Sequence, residues 1–297
     1  MDSLANAIKK AIQQSSNAPA SFGITKTPEI QSRTVKEQTF LEFLELKNRS
    51  RDINTNYVSF YEENGGTDAK FIEEVGDIPE YTATTFTEVP DNTKTIAIPI
   101  NISMKAQEGT DVIDLKQYLI NDGYVKVNNL IDEALLKPAA TADPNRFKPI
   151  VDSVETVSAG NETITEKLIK ETIQACVDDG GHPDCLVTTP TVANQIDELV
   201  SPYLRYNNVT EIALGHTVST FKSTDGSFIP ILVDNNTVEG TINVLDSTTI
   251  DIAYQKRPSF ISLAQTKLAT NDAIFAWVTA FNTGKFKSRV INNIKTE

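Results

Sequence analysis

Strict alternation of apolar and polar residues over 94–105 constrains the fold of this chain more than any other feature. Such a pattern predicts a β-strand with one buried face. The apolar face consists of Ile96, Ile98, Ile100, Ile102 and Met104. Pro99 lies in the middle of this run and has no N–H to donate to a neighbouring strand, so we predict a strand at the edge of a sheet.

The residues before this strand predict that it belongs to an extended hairpin. The run FIEEVGDIPEYTATTFTEV starts at Phe71, and a polar turn at Pro90–Asn92 leads into the alternating strand. A two-stranded hairpin is marginally stable alone in water, so we expect this arm to lie on another surface. We infer that it clasps a neighbouring subunit. The predicted contact residues are Phe71, Ile78, Tyr81, Phe86, Ile96, Ile98, Ile100 and Ile102.

A long helix is predicted after the arm, from Val112 to Leu136. Its apolar stripe comprises Leu115, Tyr118, Leu119, Val127, Leu130, Ile131, Ala134 and Leu135. At 1.5 Å per residue, the helix would be roughly 35 Å long. Gly123 within it disfavours the helix by about 1 kcal/mol relative to alanine, and Pro138 ends it.

The second half of the chain alternates between helical and strand patterns. A helix is predicted from Ile164 to Gly180-Gly181, followed by a buried strand in DCLVTTP and a helix with Pro190 in its first turn. SFIPILVD predicts a strand, and TINVLDSTTIDIAY predicts two strands joined by a turn near Asp246. Residues 274–281 are apolar on both faces, which predicts a central strand. A short helix over 35–48 precedes the arm, and the whole pattern is typical of an α+β fold.

Composition limits the partners that this chain can have. Its 297 residues are 39% hydrophobic, enough for one large or two moderate domains, and its net charge is −13. Residues 1–51 carry a small basic excess, so the acidic charge lies in the remainder, which makes specific nucleic-acid binding unfavourable. There is no apolar run of about 18 residues, so we expect no membrane span.

No catalytic, cofactor-binding or metal-binding residues are predicted. Phosphate-binding glycine motifs are absent, and neither His182 nor His216 lies in a nucleophile signature. Cys176 and Cys185 allow a disulfide or, with His182, a metal site, but paired zinc spacings are missing and two ordinary thiols are favoured. We therefore expect that the chain is not an enzyme.

The order of these elements resembles the major capsid proteins of tailed double-stranded DNA viruses, which share the Hong Kong 97 (HK97) fold. EEVGDIPEYTATTFTEVPDNTKTIAIPINISM resembles the E-loop of that family, and DVIDLKQYLINDGYVKVNNLIDEALL resembles its spine helix. ITEKLIKETIQACVDDGGHPDCLVTTPTVANQIDEL is similar to the start of its axial domain, and YQKRPSFISLAQTKLATNDAIFAWVTAFN to the final return. The resemblance spans residues 36–297.

This resemblance implies an α+β, HK97-like capsid fold with five parts. They are an N-terminal arm (1–50), an extended E-loop hairpin (51–105), a peripheral domain with a spine helix (106–158), an axial domain (159–258), and return strands that complete the peripheral domain (259–297).

The resemblance also implies a structural function. We expect a major capsid protein that self-assembles as hexamers and pentamers into an icosahedral shell around viral double-stranded DNA. Its partners would be copies of itself and scaffolding, portal and decoration proteins, with packaged DNA contacted non-specifically and no membrane. It would assemble in the host cytoplasm and reside in the virion. An encapsulin-like cellular compartment is the alternative, although the polar front segment does not favour a cargo-binding groove.

Overall fold

The computed structural model describes residues 39–64, 84–103, 115–138, 143–200, 210–212, 216–218, 220–223, 226–263 and 269–296. The helices in these ranges are α1 (Thr39–Leu46), α2 (Leu115–Leu136), α3 (Glu166–Asp178) and α4 (Pro190–Val200). Short 3₁₀ helices cover Ile150–Ser153 and Ser247–Thr249. The strands in these ranges are β1 (Ser50–Asp52), β2 (Tyr57–Asn64), β3 (Thr85–Asn92), β4 (Lys94–Ser103), β5 (Glu155–Glu162), β6 (Cys185–Thr188), β7 (Thr210–Ile212), β8 (His216–Val218), β9 (Thr220–Lys222), β10 (Phe228–Val233), β11 (Ile242–Leu245), β12 (Ile250–Ser262), β13 (Ala269–Asn282) and β14 (Arg289–Ile294). The predicted α+β class is confirmed.

The first sheet has the strand order β1-β12-β13-β4. β13 lies between two partners, which confirms the predicted central strand, and β4 lies at the end of this order, as Pro99 predicted. The apolar face of β4 packs against α2, with Ile100 and Ile102 buried in the main core. The alternating pattern predicts one buried face on β4, and the long helix α2 covers that isoleucine face.

The second sheet has the order β5-β14-β11-β6-β10-β9. Helices α3 and α4 bury their apolar residues in a second core with strands of this sheet, including Ile169, Ile173 and Ile196. The hydroxyl of Thr165 accepts a hydrogen bond from the Leu168 amide and caps the start of α3. Predicted elements α3, β6, α4 and β10 are therefore confirmed.

One predicted strand pairing is wrong. The hairpin was expected to return from β3 to β4 at Pro90–Asn92, but β3 pairs with β2 and β4 pairs with β13. The predicted turn near Asp246 is confirmed as the 3₁₀ helix Ser247–Thr249, which carries the chain from β11 in the second sheet to β12 in the first.

The boundaries of the five expected parts stay a prediction, and the two sheets divide the late strands as follows. The region expected to be axial ends at residue 258. It therefore includes the first part of β12 (Ile250–Ser262), which pairs with β13 in the first sheet. The expected return region includes β14, which lies in the second sheet between β5 and β11. The last strands are therefore divided between the two sheets.

Candidate subunit interface

The described arm is an antiparallel hairpin of β2 and β3, whose register runs from Tyr57 opposite Asn92 to Asn64 opposite Thr85. Residues that face each other across an antiparallel pair project to the same side. Phe60 and Val89 therefore share one side of the hairpin, and side chains such as Tyr61 and Phe86 project from the other. The two sides have different surroundings.

The Phe60 side is attached to the body of the protein. The Phe60 ring stacks on the ring of Phe281 in β13, with 5.7 Å between centroids and an interplanar angle of 18°. The Thr279 hydroxyl donates a hydrogen bond to Asp91 Oδ2 at 2.5 Å, and the Arg51 guanidinium lies 4.8 Å from the Phe281 ring centroid. The Phe60 and Asp91 contacts hold the hairpin on the first sheet, whereas Arg51, which belongs to β1, packs on Phe281 within that sheet.

The opposite side of the hairpin presents aromatic rings to solvent. Tyr61 is 66% exposed and Phe86 is 65% exposed, and Tyr57 on the same side is also exposed. The Tyr57 hydroxyl donates a hydrogen bond to Glu88 Oε1 at 2.8 Å, and hydrogen bonds from Ser59 and Tyr57 lower the pKa of Glu88. Large exposed aromatic residues that share one face are typical of surfaces that another protein covers.

The predicted contact residues of the arm have different positions. Phe86 lies on this exposed aromatic face. Ile100 and Ile102 are buried in the chain's own core, and Ile96 and Ile98 are partly buried against it. These isoleucines are therefore engaged by α2 within the subunit. The remaining predicted contacts, Phe71, Ile78 and Tyr81, lie outside the described residues. Tyr61 was not among the predicted contact residues, although alternation along β2 places it on the side opposite Phe60.

A cavity of about 280 Å³ lies at the base of the hairpin. Phe60, Pro149 and Phe281 contribute apolar surface to it. Its charged lining has both signs and comprises Glu62, Asp91, Asp152, Lys148 and Lys285. This mixture favours neither an anionic nor a cationic ligand.

The cysteines that raised the question of a metal site are buried free thiols. Burial raises the pKa of Cys176 to about 12 and also raises that of Cys185. His182 is exposed, and its backbone amide donates to Asp246 Oδ2 at 2.9 Å. Among the residues that the structure describes, no three Cys, His, Asp or Glu side chains are grouped to hold a metal ion. Within the same ranges, no helix combines the length and the hydropathy needed to span a bilayer.

Comparisons with solved structures identify proteins with a similar fold. The chain is similar to a capsid protein of cyanophage A-1(L), with 11% identity and a TM-score of 0.74 over 93% of this chain and 98% of that one. It is similar to an encapsulin of Synechococcus elongatus, with 11% identity and a TM-score of 0.68 over 96% and 95% of the two chains. It is also similar to the capsid of Myoviridae phage XM1, with 13% identity and a TM-score of 0.64 over 93% and 100%. These likenesses concern the fold, and they confirm the HK97-like architecture expected from the sequence.

Family membership comes from the sequence itself. A search of curated proteins found no match. Residues 16–295, however, match the family model described as SU10 major capsid protein. That match covers most of the chain, including both sheets and the hairpin. The chain therefore belongs to this major capsid protein family, and it is a structural subunit of a capsid shell.

Proposed function

We propose that this subunit assembles as hexamers and pentamers into an icosahedral shell that encloses viral double-stranded DNA. The family match supports the shell role, and the exposed aromatic face of the hairpin is the observation that carries the assembly mechanism. The first sheet with α2 forms the peripheral domain, and the second sheet with α3 and α4 forms the axial domain. The β2–β3 hairpin is the arm that reaches the neighbouring subunit.

The contact is made by apolar burial and by strand edges. Tyr61 and Phe86 lie on the side of the hairpin that faces away from Phe281, so a neighbour can cover them without displacing the hairpin from its own body. Aromatic residues of this kind contribute disproportionately to the stability of interfaces. A two-stranded ribbon also has two edges at which a neighbour can add a strand.

The acidic charge of the protein suits a container for DNA. The net charge of −13 makes the average surface repel phosphates, and this repulsion extends over about 8 to 10 Å at physiological salt. DNA would therefore be packed without adhering strongly to the wall. The small basic excess in residues 1–51 is the exception, and we assign to it whatever non-specific DNA contact occurs.

The experiment that tests assembly is electron microscopy of the purified full chain, with its mass measured by light scattering. Closed shells or rings of five and six subunits are expected. A uniform species of about 33 kDa, the mass of one subunit, even with scaffolding protein supplied, would overturn shell assembly. Particles isolated from the native source should contain DNA; particles filled with a protein cargo would favour the encapsulin-like alternative, whose fold is also similar.

The arm contact is tested with the double variant Tyr61→Ser and Phe86→Ser. We expect a folded subunit with an unchanged melting temperature and at least tenfold less assembled material, because both side chains are exposed in the subunit. The matched control is Tyr61→Phe with Phe86→Tyr, which retains both rings and should assemble. Normal assembly of the serine variant would contradict the arm contact while leaving the shell role intact.

A further inference from the structure

Two buried carboxyl groups that the sequence analysis did not single out meet at the start of α1. Asp132 lies on α2 and Asp234 directly follows β10, and both are fully buried, with 0% exposure. α1 packs against both of these elements. The carboxyl pair therefore lies where the first helix meets the spine helix and the second sheet.

Each of the four carboxyl oxygens accepts a hydrogen bond. The Leu41 amide donates to Asp132 Oδ1 at 2.8 Å, and the Phe40 amide donates to Asp234 Oδ2 at 3.1 Å. Asn236 joins the two groups, because its Nδ2 donates to Asp132 Oδ2 at 2.7 Å and its backbone amide donates to Asp234 Oδ1 at 2.8 Å. Two consecutive amides in the first turn of α1 are thus held by carboxyls from two different elements.

Among the residues that the structure describes, the surroundings of the pair provide hydrogen bonds but no compensating cation. Burial, the charge of Asp234 and a hydrogen bond with Asp234 raise the pKa of Asp132, whereas hydrogen bonds from Asn236 and Leu41 lower it. The other charged side chains near this junction are exposed or half-buried: Glu42, Glu45 and Lys47 on or just after α1, Glu133 and Lys137 on or just after α2, and Glu239 after β10. Lys47 pairs with Asp184 at 3.4 Å and Lys137 pairs with Glu133 at 3.6 Å. Two adjacent buried carboxylates cannot both remain charged at low free energy in such a setting.

We propose that Asp132 and Asp234 form a proton-dependent latch, in which one shared proton holds the start of α1 against α2 and the end of β10. Loss of that proton leaves two buried negative charges side by side, and the first turn of α1 then detaches from the junction. Because α1 contacts the helix of one sheet and a strand of the other, release of the latch loosens the connection between the two sheets.

The direction of the pH dependence follows from proton linkage. Burial and the neighbouring charge raise the pKa of Asp132 to about 8, whereas an exposed aspartate has a pKa of about 3.9. The closed latch therefore holds one more proton than the open latch between these values. Its stabilising contribution is complete below about pH 4, decreases as the pH rises, and is lost at about pH 8. In this interval the opening equilibrium should increase by about tenfold per pH unit.

Hydrogen–deuterium exchange of the full chain, followed by mass spectrometry from pH 5.5 to 8.5, tests the latch. After correction for the intrinsic exchange rate, the protection of the α1 peptide should fall by about tenfold per pH unit and level off near pH 8. The α3 peptide is the internal control, because the Thr165 hydroxyl that caps α3 does not titrate in this range. Its protection should stay constant. Equal pH dependence in both peptides would indicate global loosening and would overturn the proposal.

Variants separate the latch from other titrations. Asp132→Asn removes the carboxyl whose pKa is raised, so protection of the α1 peptide should become nearly independent of pH. Asp234→Asn removes the neighbouring charge that helps to raise this pKa, so the fall in protection should move to lower pH. Asp197→Asn, an exposed substitution on α4, is the matched control and should retain the slope of the unmodified protein. An unchanged slope in both latch variants would overturn the proposal. If neither variant folds, the exchange measured on the unmodified protein is the test. Protection of the α1 peptide that does not change with pH would contradict the latch.

Discussion

At Gly123 the backbone of α2 lies so close to the first sheet that a side chain there would require Ile274 to shift. A Cβ at this position would lie 2.6 Å from Cδ1 of Ile274, and 3.6 Å from terminal methyl groups of Ile98 and Ile100. The sequence shows only that glycine weakens the helix by about 1 kcal/mol. The structure supplies the compensating gain, which is the close packing of the helix on buried strands.

Gly123→Ala should lower the free energy of unfolding by about 1 kcal/mol, because overpacking outweighs the gain in helix propensity. Ile274→Val removes the methyl group that an alanine would strike, so Gly123→Ala should be neutral or stabilising in that background. Urea unfolding of the four proteins in this double-mutant cycle measures the coupling. Additive effects of the two substitutions would contradict a steric origin.

At the scale of elements, the apolar–polar pattern of a strand shows which of its faces is buried. It does not show as readily which strand will pair with it. The alternation of β4 correctly places its isoleucines inward, but the same pattern fits pairing with β3 or with β13. The Asn92–Lys94 connection has the composition of a tight turn, yet it carries the chain from the hairpin to a different sheet. A sequence pattern can also assign a residue to the wrong environment. Leu130 fits the apolar stripe of α2 but is 45% exposed.

Phe60→Ala should loosen the hairpin without unfolding the body. It removes the stacking contact with Phe281, and aromatic pairs contribute about 0.5–1.5 kcal/mol beyond their buried area. Exchange of the β2 and β3 amides should therefore accelerate by about tenfold, with a small change in melting temperature. Tyr61→Ala, on the opposite side of the same strand, is the control. Equal acceleration by both variants would show that Phe60 is not the anchor.

At the scale of the whole molecule, the two cores share strands of the second sheet. Val187 and Leu232 face the core that contains α1 and α2, whereas Leu186 and Ile231 on the same strands face the core that contains α3 and α4. The run CLV is apolar throughout because both faces of β6 are buried. In FIPILV the same holds for the middle of β10, whereas Phe228 and Val233 at its ends are exposed.

This sharing predicts one cooperative unfolding transition. Leu44→Ala in the first core and Ile173→Ala in the second each leave a cavity that should destabilise by about 2–5 kcal/mol. Both variants should shift the same single transition in calorimetry. Two separate transitions, each moved by only one of the variants, would show that the cores unfold independently.

The sequence was sufficient for most helices, for the buried strands and for the family resemblance, because these depend on periodicity and order along the chain. The carboxyl latch could not be predicted in the same way. Asp132 occupies a polar-looking position on α2, and Asp234 lies 102 positions away, so nothing local indicates that they meet. Asp234-Asn235-Asn236 after a buried strand is a weak signal that an ordinary polar turn also produces.

The two-sided hairpin has a geometric consequence for assembly. Of its two faces, one is bound to its own subunit through Phe60, and the Tyr61 face is the one that the proposed contact presents to a neighbour. When that side meets a different patch on the next copy, the contact is head-to-tail, and a chain of such contacts either closes into a ring or continues without end. The angle at which the hairpin leaves the body then sets how many copies complete a ring. In the proposed shell, a small change in this angle, with the same residues in contact, would distinguish a ring of five from a ring of six.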